Sequence, residues 1–398
     1  MKQKIFIALI ALAAAVLVHG YLTAHYYPLH LGFGGSASLC SIGASFDCDA
    51  VSASPYASIA GIPLAAFGMV YNLLLFVMVL MTWLGLRGES PRCWRGPLWM
   101  ASGSLLASVV MGFITVAFLK SLCLFCIIAY ALSVLTFGAL LWAQPESPWR
   151  HFGEDLKSWL TDSKSFLVWP AMVPVGAVLV NIGMMQNYGA EELNRVVKTA
   201  VLDWQHQTPV TWAANPSLTK GASVEDAKLT LTEFADFRCG HCAQAAPSLS
   251  AFVKANPDVR LVFYSFPLDG ACNSAIGQGD GMSCHLAKTV LCAGQQEKGW
   301  QTHDYIFQNQ SNFQALSTAE AINTELKGKL AAESIDWTAL EACQKDPATE
   351  ENIKAQAAQG VAAKVQGTPT VYANGKKLER GSLLPVLSAV RETVLNQK

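Results

Sequence analysis

Long uncharged segments dominate the first 143 residues of this 398-residue chain. A bilayer is crossed by about 20 consecutive apolar residues, and five such segments are present, at 5–27, 64–86, 97–119, 121–143 and 166–185. Over the whole chain 14% of residues are charged, against roughly 25% in an average soluble protein. From about residue 185 onward the composition is that of a soluble domain. The sequence therefore predicts a membrane α-helical bundle, with a four-helix core and a fifth transmembrane helix, followed by a soluble domain.

The distribution of basic residues orients these helices. Cytoplasmic loops of membrane proteins carry an excess of Lys and Arg, and the loop 28–63 has neither. We therefore expect a multi-pass protein of a bacterial inner membrane, with a cytoplasmic N-terminus and a periplasmic soluble domain. The first segment is also a fair signal-peptide core, whose cleavage would leave the orientation unchanged. The basic residues on the cytoplasmic side are Lys2, Lys4, Arg87, Arg92, Arg95, Arg150, Lys157 and Lys164.

The cysteine count agrees with this orientation. There are 11 cysteines, and the predicted topology leaves only Cys93 in a cytoplasmic loop. Disulfides persist outside the cytoplasm, whereas cytoplasmic thiols stay reduced. The ten outer cysteines form an even set that can pair completely, so a second line of reasoning supports the same topology.

The soluble domain contains a redox motif. Residues 229–237 alternate as a strand does, Cys239-Gly-His-Cys242 follows at once, and the next residues continue as a helix. A C-x-x-C at the start of a helix after a strand is typical of the thioredoxin redox site. The helix dipole stabilises a thiolate on Cys239, and Cys242, one turn later, resolves the mixed disulfide. The alternatives are a structural zinc site and an inert disulfide.

The end of the chain strengthens this interpretation. Thr368-Pro369 precedes a strand, an Asn374-Gly375 turn, a second strand and a helix, which resembles the ending of the thioredoxin fold. The resemblance implies that the Thr368-Pro369 loop faces the C-x-x-C and docks the partner chain. A mostly helical insert at 273–363 resembles the DsbA type of cell-envelope oxidoreductase. Four cysteines in or directly before this insert allow three connectivities, of which we favour Cys272–Cys284 with Cys292–Cys343 as structural disulfides.

The membrane region resembles the vitamin K epoxide reductase family over about its first 145 residues. The shared features are a loop pair Cys40 and Cys48, Ser54, Gly61-Ile62-Pro63, Phe67-Gly68, and Cys123-x-x-Cys126 followed by Tyr130. The helix and soluble domain that follow resemble the bacterial fusion members of that family.

The resemblance implies an electron relay. Substrate thiols reduce Cys239–Cys242, which reduces the loop pair Cys40–Cys48, which in turn reduces Cys123–Cys126. Cys126 then passes the electrons to a membrane quinone. Where the animal enzymes have an asparagine that binds vitamin K, this chain has Leu64, so ubiquinone or menaquinone is favoured as the electron acceptor.

Two further residues are candidate quinone contacts, each with a structural alternative. Tyr130 is placed to hydrogen-bond a quinone carbonyl, or else is a tyrosine of the interfacial belt. Ser54 contributes a quinone contact or only caps a short helix. Cys123 and Cys126 themselves have the alternative of packing as small apolar residues.

Taken together, these features predict a disulfide-forming membrane oxidoreductase. Its domains are 1–145 (vitamin K epoxide reductase-like), 146–187 (cytoplasmic linker and fifth helix), 188–226 (neck) and 227–398 (soluble α/β thioredoxin fold with a helical insertion). The predicted partners are secreted protein thiols and the quinone, without a metal or nucleic acid, and no oligomeric state follows. Reversed electron flow in a reductase or isomerase and a non-catalytic membrane-anchored chaperone are the alternatives; reversed flow would need a cytoplasmic thiol pair, where only Cys93 is expected.

Overall fold

The computed structural model describes residues 2–31, 47–86, 91–119, 122–144, 147–161, 164–188, 192–330 and 333–397. The chain forms two compact units. The first comprises Met1–Pro28 and Ser38–Glu191, and the second comprises Leu29–Ala37 and Glu192–Lys398.

Long apolar helices make up the first unit. Within the described residues, four of them are long and apolar enough to cross a membrane, which confirms the predicted four-helix core. A shorter apolar stretch, Ala171–Asn187, lies where the fifth span was predicted. The helices are α1 (Lys2–Leu31), a short α2 (Cys48–Ser52), α3 (Leu64–Trp83), α4 (Pro91–Ile114) with a π-helical continuation (Thr115–Leu119), α5 (Leu124–Ala143), α6 (Phe152–Thr161) and α7 (Lys164–Asn187).

A glycine lets α1 and α3 approach closely. A Cβ atom added to Gly68 would lie 2.2 Å from His19 Cδ2, well inside van der Waals contact. Small residues at helix interfaces are the usual means of close packing inside membranes. The Phe67-Gly68 pair therefore has a steric role, because the His19 ring occupies the space that a larger residue would fill.

Charged side chains gather where α4 begins and α5 ends. Arg95 donates two hydrogen bonds to Asp155 of α6, at 2.8 and 2.9 Å, and both residues are buried. Lys4 Nζ donates to the main-chain oxygen of Trp142 at 3.0 Å. A buried charge is tolerated only when it is paired, as Arg95 and Asp155 are. The two contacts together tie α4 to α6 and α1 to α5. They lie at the opposite end of α5 from its N-terminus.

The short helix α2 is held against the start of α5. Asp47 caps α2, because its Oδ1 accepts a hydrogen bond from Ala50 N at 2.9 Å. Asp47 N donates to Leu122 O at 2.8 Å, two residues before α5 begins. A tight hairpin of β1 (Ser58–Ile59) and β2 (Ile62–Pro63) then leads into α3.

The second unit is an α/β domain with a five-stranded sheet. In sequence order the strands are β3 (Leu218–Gly221), β4 (Leu229–Ala235), β5 (Val259–Ser265), β6 (Thr370–Ala373) and β7 (Lys376–Leu378). Their order in space is β3-β5-β4-β6-β7, with β4 and β5 parallel and the other pairs antiparallel. Together with the helices around it, this mixed sheet confirms the predicted thioredoxin fold.

Helices cover the sheet and fill the long connection between β5 and β6. Six of them, α10 to α15, form the helical insertion that the sequence predicted. The helices of this unit are α8 (Leu193–Gln205), α9 (Gly240–Ala255), α10 (Met282–Gly294), α11 (Gly299–Gln308), α12 (Gln310–Ala315), α13 (Ala319–Lys329), α14 (Trp337–Lys345), α15 (Pro347–Ala362) and α16 (Leu384–Asn396).

Part of the segment interpreted as a neck, 188–226, belongs to this folded unit. Strand β3 pairs with β5, and Trp204 of α8 is buried and donates from Nε1 to Ala373 O at 2.9 Å. The strand is four residues long and lacks a clear alternation, so its sequence alone does not reveal it. The sheet therefore begins before residue 227.

Two disulfides fasten the insertion. Cys272 is bonded to Cys284 and Cys292 to Cys343, which is the connectivity favoured above. The second bond joins α10 to α14 across 51 residues, and closing a loop of that length removes roughly 4 kcal/mol of chain entropy from the unfolded state.

Two helical glycines of this unit should respond oppositely to alanine. A Cβ atom at Gly360 of α15 would lie 2.6 Å from Phe266 Cδ2 and 3.1 Å from Phe234 Cδ1, whereas nothing lies within 4 Å at exposed Gly328 of α13. We expect Gly360→Ala to lower the free energy of unfolding by about 1–3 kcal/mol through overpacking. Gly328→Ala should raise it, by at most about 1 kcal/mol. Hydrogen exchange of the β4 amides in the full chain measures both, and equal effects would contradict this packing.

Candidate active sites

The first site lies at the junction of β4 and α9. Cys239 is the N-cap of α9, its backbone oxygen accepts from the amide of Cys242 at 3.0 Å, and its side chain is half-buried. Cys242 lies one turn into the helix and is fully buried. Both cysteines are free thiols. The exposed sulfur is therefore the one that a partner can reach.

The surroundings of Cys239 favour its thiolate. The neighbouring Cys242 thiol hydrogen-bonds to the Cys239 sulfur and lowers the pKa of Cys239 to about 5, and the main-chain amides of His241 and Cys242 act in the same direction. Burial and the nearby Cys239 hold the pKa of Cys242 well above the ordinary range. At neutral pH the pair is therefore one thiolate and one thiol, which suits a nucleophile and a resolving cysteine.

Two buried carboxyl groups lie beneath this pair. Glu233 of β4 is 1% exposed, and burial raises its pKa to about 8. The negative charge of Glu233 also raises the pKa of Cys242. Burial raises the pKa of Asp236 to about 6, and Asp236 O accepts from Cys239 N at 3.1 Å. Glu233 can thus take up or release a proton near neutral pH, close to the resolving cysteine. Neither residue has a local sign of this role in the sequence, because Glu233 is a single carboxylate within β4 and Asp236 directly follows that strand.

The predicted docking loop lies against the exposed sulfur. The Thr368–Pro369 peptide bond is cis, and Cys239 Sγ lies 3.3 Å from Thr368 O. A backbone segment at this distance can align an incoming chain beside the reactive sulfur. The structure thus brings Thr368 and Pro369 to the C-x-x-C, and their role in docking a partner stays a prediction.

The helical insertion also holds residues 237–239, which lead into the C-x-x-C motif. The sequence did not predict these contacts. Gln310 of α12 donates from Nε2 to Phe237 O at 2.9 Å and to Cys239 O at 2.8 Å. Gln314, one turn later, donates to Arg238 O at 3.0 Å. These side-chain amides satisfy the main-chain oxygens around the reactive cysteine. Glutamine spacing in a helix carries no sign of such distant partners.

The second site lies at the start of α5. Cys123 is the N-cap of α5, and its Sγ accepts from Cys126 N at 3.2 Å. Cys123 is buried, Cys126 is half-buried, and both are free thiols. Cys123 thus caps the helix with its sulfur, and Cys126 lies in the first turn of α5.

A third sulfur lies beside this pair. Cys48 Sγ of α2 is 3.0 Å from Cys123 Sγ, and Cys48 is disulfide-bonded. Its predicted partner, Cys40, lies outside the described residues. A sulfur of the loop is thus in contact with a sulfur of the membrane helix, and thiol–disulfide exchange needs such proximity.

A cavity of about 600 Å³ adjoins these sulfurs. Cys48, Cys123 and Cys126 all line it, and most of the other lining side chains are apolar or aromatic. Small-molecule sites are typically concave and apolar, with volumes of about 300–1,000 Å³ and a few polar groups. The cavity therefore fits a quinone ring: its apolar wall suits the ring, and its hydroxyl and amide groups suit the two oxygens.

Tyr130 and Ser54 also line the cavity. Cys126, Ala129, Tyr130 and Ser133 occupy one face of α5, because they are spaced by three or four residues, and all four line the cavity. Ser54 Oγ donates to Val51 O at 2.7 Å. The N-caps of α2 and α3 are other residues, so Ser54 does not cap a helix. Quinone binding by Tyr130 and Ser54 stays a prediction.

Several lining residues went unnoticed in the sequence. Asn72 is buried and donates to Gly68 O at 2.8 Å, Tyr71 OH donates to Met100 O at 2.6 Å, and His25 pairs with Asp49. Polar side chains within apolar helices are the signal that could have found them, because such residues usually face a functional interior. Among the described residues, no group of three or more His, Cys, Asp or Glu could hold a metal ion.

Two family models match this chain. The model of the vitamin K epoxide reductase family matches residues 5–141, and the thioredoxin model matches residues 219–385. The matched ranges contain the second and first sites described above. The first range includes Cys48, Cys123 and Cys126, and the second includes Cys239 and Cys242.

Individual relatives share less than 30% sequence identity with this chain over the aligned residues. "Probable disulfide bond formation protein D" of Bacillus anthracis is 28% identical over 158 residues, which are 38% of this chain and 67% of that protein. The oxidoreductase DsbA from Xylella fastidiosa is 18% identical with a TM-score of 0.35, covering 46% of this chain and 92% of that one. BdbD from Bacillus subtilis in its oxidised form is 19% identical with a TM-score of 0.37, covering 48% and 100%. With both family models matched, the chain joins a vitamin K epoxide reductase-family domain to a thioredoxin-like domain in one thiol–disulfide oxidoreductase.

Proposed function

We propose that this protein forms disulfide bonds in secreted proteins and passes the electrons to a membrane quinone. One observation carries the proposal, namely the 3.0 Å separation of Cys48 Sγ and Cys123 Sγ at the wall of an apolar cavity. A disulfide bond is about 2.0 Å long, so a shift of roughly 1 Å would join the two sulfurs. The loop and the membrane helix can thus exchange electrons directly.

The first exchange involves the thioredoxin-like domain in its oxidised form. A substrate thiolate attacks one sulfur of the Cys239–Cys242 bond, which breaks as a mixed disulfide forms with Cys239. The second substrate thiol then attacks its partner sulfur and releases Cys239, so the substrate gains a disulfide and the pair is reduced. The low pKa of Cys239 favours this direction, because a stable thiolate is a good leaving group.

The electrons then pass to the membrane domain in two further exchanges. The Cys239 thiolate attacks the loop disulfide, Cys242 resolves the adduct, and Cys40 and Cys48 become thiols. Cys48 next attacks Cys123 of an oxidised Cys123–Cys126 pair, and Cys126 leaves as a thiol. Cys40 then displaces Cys123 and restores the loop disulfide. The Cys123–Cys126 dithiol is reoxidised as two electrons and two protons pass to ubiquinone or menaquinone.

The charge distribution supports an outer location for these exchanges. Lys4 and Arg95 lie at the end of the bundle where α5 finishes, and Cys123 lies where α5 begins. Because basic residues mark the cytoplasmic side, we place the cysteine end of the bundle and the thioredoxin-like domain in the periplasm. Secreted proteins acquire their disulfides in that compartment.

A trapping experiment tests the order of the relay. In Cys242→Ala the resolving thiol is missing, so Cys239 should accumulate in mixed disulfides with Cys40 or Cys48. Peptide mass spectrometry after acid quenching identifies the partner. Cys93→Ser in the same background is the matched control and should leave the adduct unchanged. Adducts with Cys93 alone would instead indicate reversed electron flow.

Quinone reduction tests the membrane site. Purified protein supplied with a reduced dithiol peptide should bleach the ultraviolet absorbance of quinone without oxygen. Cys123→Ser and Cys126→Ser should each reduce this rate by at least about a hundredfold, because each removes a sulfur that must form a covalent intermediate in the transfer of electrons to the quinone. Cys93→Ser should keep the rate. A quinone signal that stays constant with the wild-type protein would remove the proposed function.

The acidity of Cys239 can be measured by alkylation. With a pKa of about 5, the reactive thiolate is present above pH 5 and is lost below it, so the alkylation rate should rise through pH 5 and then level off. Cys242→Ala removes the hydrogen bond to the sulfur and should move the midpoint to higher pH. Cys242→Ser keeps a donor and should move it less. A wild-type midpoint near the ordinary thiol value of about 8.5 would contradict the site geometry.

A further inference from the structure

The described lining of the cavity beside the membrane cysteines contains histidines but no other side chain that is ordinarily charged. Among its described lining residues none is Asp, Glu, Lys or Arg, and two are histidines, His19 and His25. Oxidation of a dithiol by a quinone moves two protons as well as two electrons. Imidazole is the side chain whose ordinary pKa lets it accept and release a proton near neutrality. A histidine is therefore the natural proton carrier in such a cavity.

His25 is held by a carboxylate from another element. His25 Nε2 on α1 lies 2.7 Å from Oδ1 of Asp49 on α2. Asp49 is 5% exposed and follows Cys48 directly in the chain. A carboxylate only accepts hydrogen bonds when ionised, so Nε2 carries the hydrogen and Nδ1 is the nitrogen that can accept a proton. Pairing of this kind fixes the tautomer and the orientation of an imidazole ring.

His19 is placed differently. Its Nδ1 donates to the main-chain oxygen of Ala15 at 2.8 Å. The ring also lies against the backbone of Gly68, where a Cβ atom would come within 2.2 Å of it. His19 is thus fixed by packing between two helices, and its hydrogen-bond partner is a carbonyl. These contacts favour His25 over His19 as the proton carrier.

The groups that contact His25 come from α1 and α2. On α1 the Tyr21 ring stacks on His25 at 6.0 Å between centroids, and Asp49 faces it from α2. Phenols and thiols ordinarily hold their protons at neutral pH, whereas imidazole is the side chain suited to accept and release one. The other titratable groups at the cavity or beside Asp49 are His19, Tyr26, Tyr56, Tyr71, Asp47, Cys123, Cys126 and Tyr130.

We propose that His25 transfers protons between the Cys123–Cys126 dithiol and the quinone, and that Asp49 positions it. This inference rests on the function proposed above. Oxidation of the dithiol breaks two S–H bonds and forms the Cys123–Cys126 bond, and the two electrons pass to the quinone. His25 Nδ1 accepts a thiol proton and donates it to a quinone oxygen, and this happens once for each of the two protons. His25 ends each turnover unchanged.

The test compares His25→Gln with the wild-type protein in detergent. Quinone bleaching by the reduced peptide should fall by roughly a hundredfold. His25→Gln should also change the pH dependence of the rate, because it removes a side chain that accepts and releases protons. Added imidazole should restore much of the rate to His25→Ala. Asp49→Asn should reduce the rate less, since the amide still orients the ring.

A readout without quinone separates proton transfer from loop docking. In a Cys126→Ser background, Cys123 can attack the loop disulfide and form a Cys123–Cys48 adduct. If His25 carries protons, adding His25→Gln should change the yield of this adduct by no more than about twofold relative to Cys126→Ser alone. The matched control is His151→Gln, which removes an exposed histidine–carboxylate pair with Glu154 at 3.3 Å and should leave bleaching and adduct unchanged.

The outcomes distinguish the two proposals. No bleaching by the wild-type protein removes the proposed function. Wild-type bleaching with an unaltered rate and pH profile in His25→Gln removes the proton-transfer role alone. His25→Gln could instead lose both the bleaching and the adduct, and imidazole could fail to rescue His25→Ala. This result would indicate that the His25–Asp49 pair only anchors α2, and it would also overturn the inference.

Discussion

Contact between Cys48 Sγ and Cys123 Sγ is the interaction on which the rest of the membrane domain depends. In the proposed relay, protein thiols react in water and quinones dissolve in lipid, so electrons pass only where a sulfur contacts both surroundings. The 3.0 Å contact requires a short loop helix to dock on the start of a membrane helix. The Asp47 cap, the hydrogen bond from Asp47 N to Leu122 O, and the His25–Asp49 pair hold it there.

The chain uses one local motif twice in different surroundings. Cys239 and Cys123 are both helix N-caps followed by a second cysteine in the first turn. Cys239 is half-buried and lies beside the Thr368–Pro369 loop. Cys123 is buried and lines an apolar cavity. The same helix-end arrangement thus has two different surroundings, which in the proposed function receive a polypeptide and a quinone.

Much of the architecture was predictable because its signals are local. Apolar length gave the four-helix core, and a strand followed by C-x-x-C and a helix gave the redox junction. The predicted helical insertion and its two disulfides agree with the structure. Strand β3 was not predicted, because a four-residue edge strand has too few residues to show a period. Gln310 was missed as well, since its bonds reach 71 and 73 residues away.

By itself, then, the sequence determined which cysteine pairs are candidates for redox chemistry and which segments are apolar, because residue type, spacing and hydropathy are properties of neighbouring residues. Only the tertiary structure decided which sulfurs meet and what surrounds them. Cys48 and Cys123 are 75 residues apart, and His25 and Asp49 are 24 apart. Such pairings depend on how helices pack, and packing is set by many weak contacts spread over the whole domain, which no short pattern records.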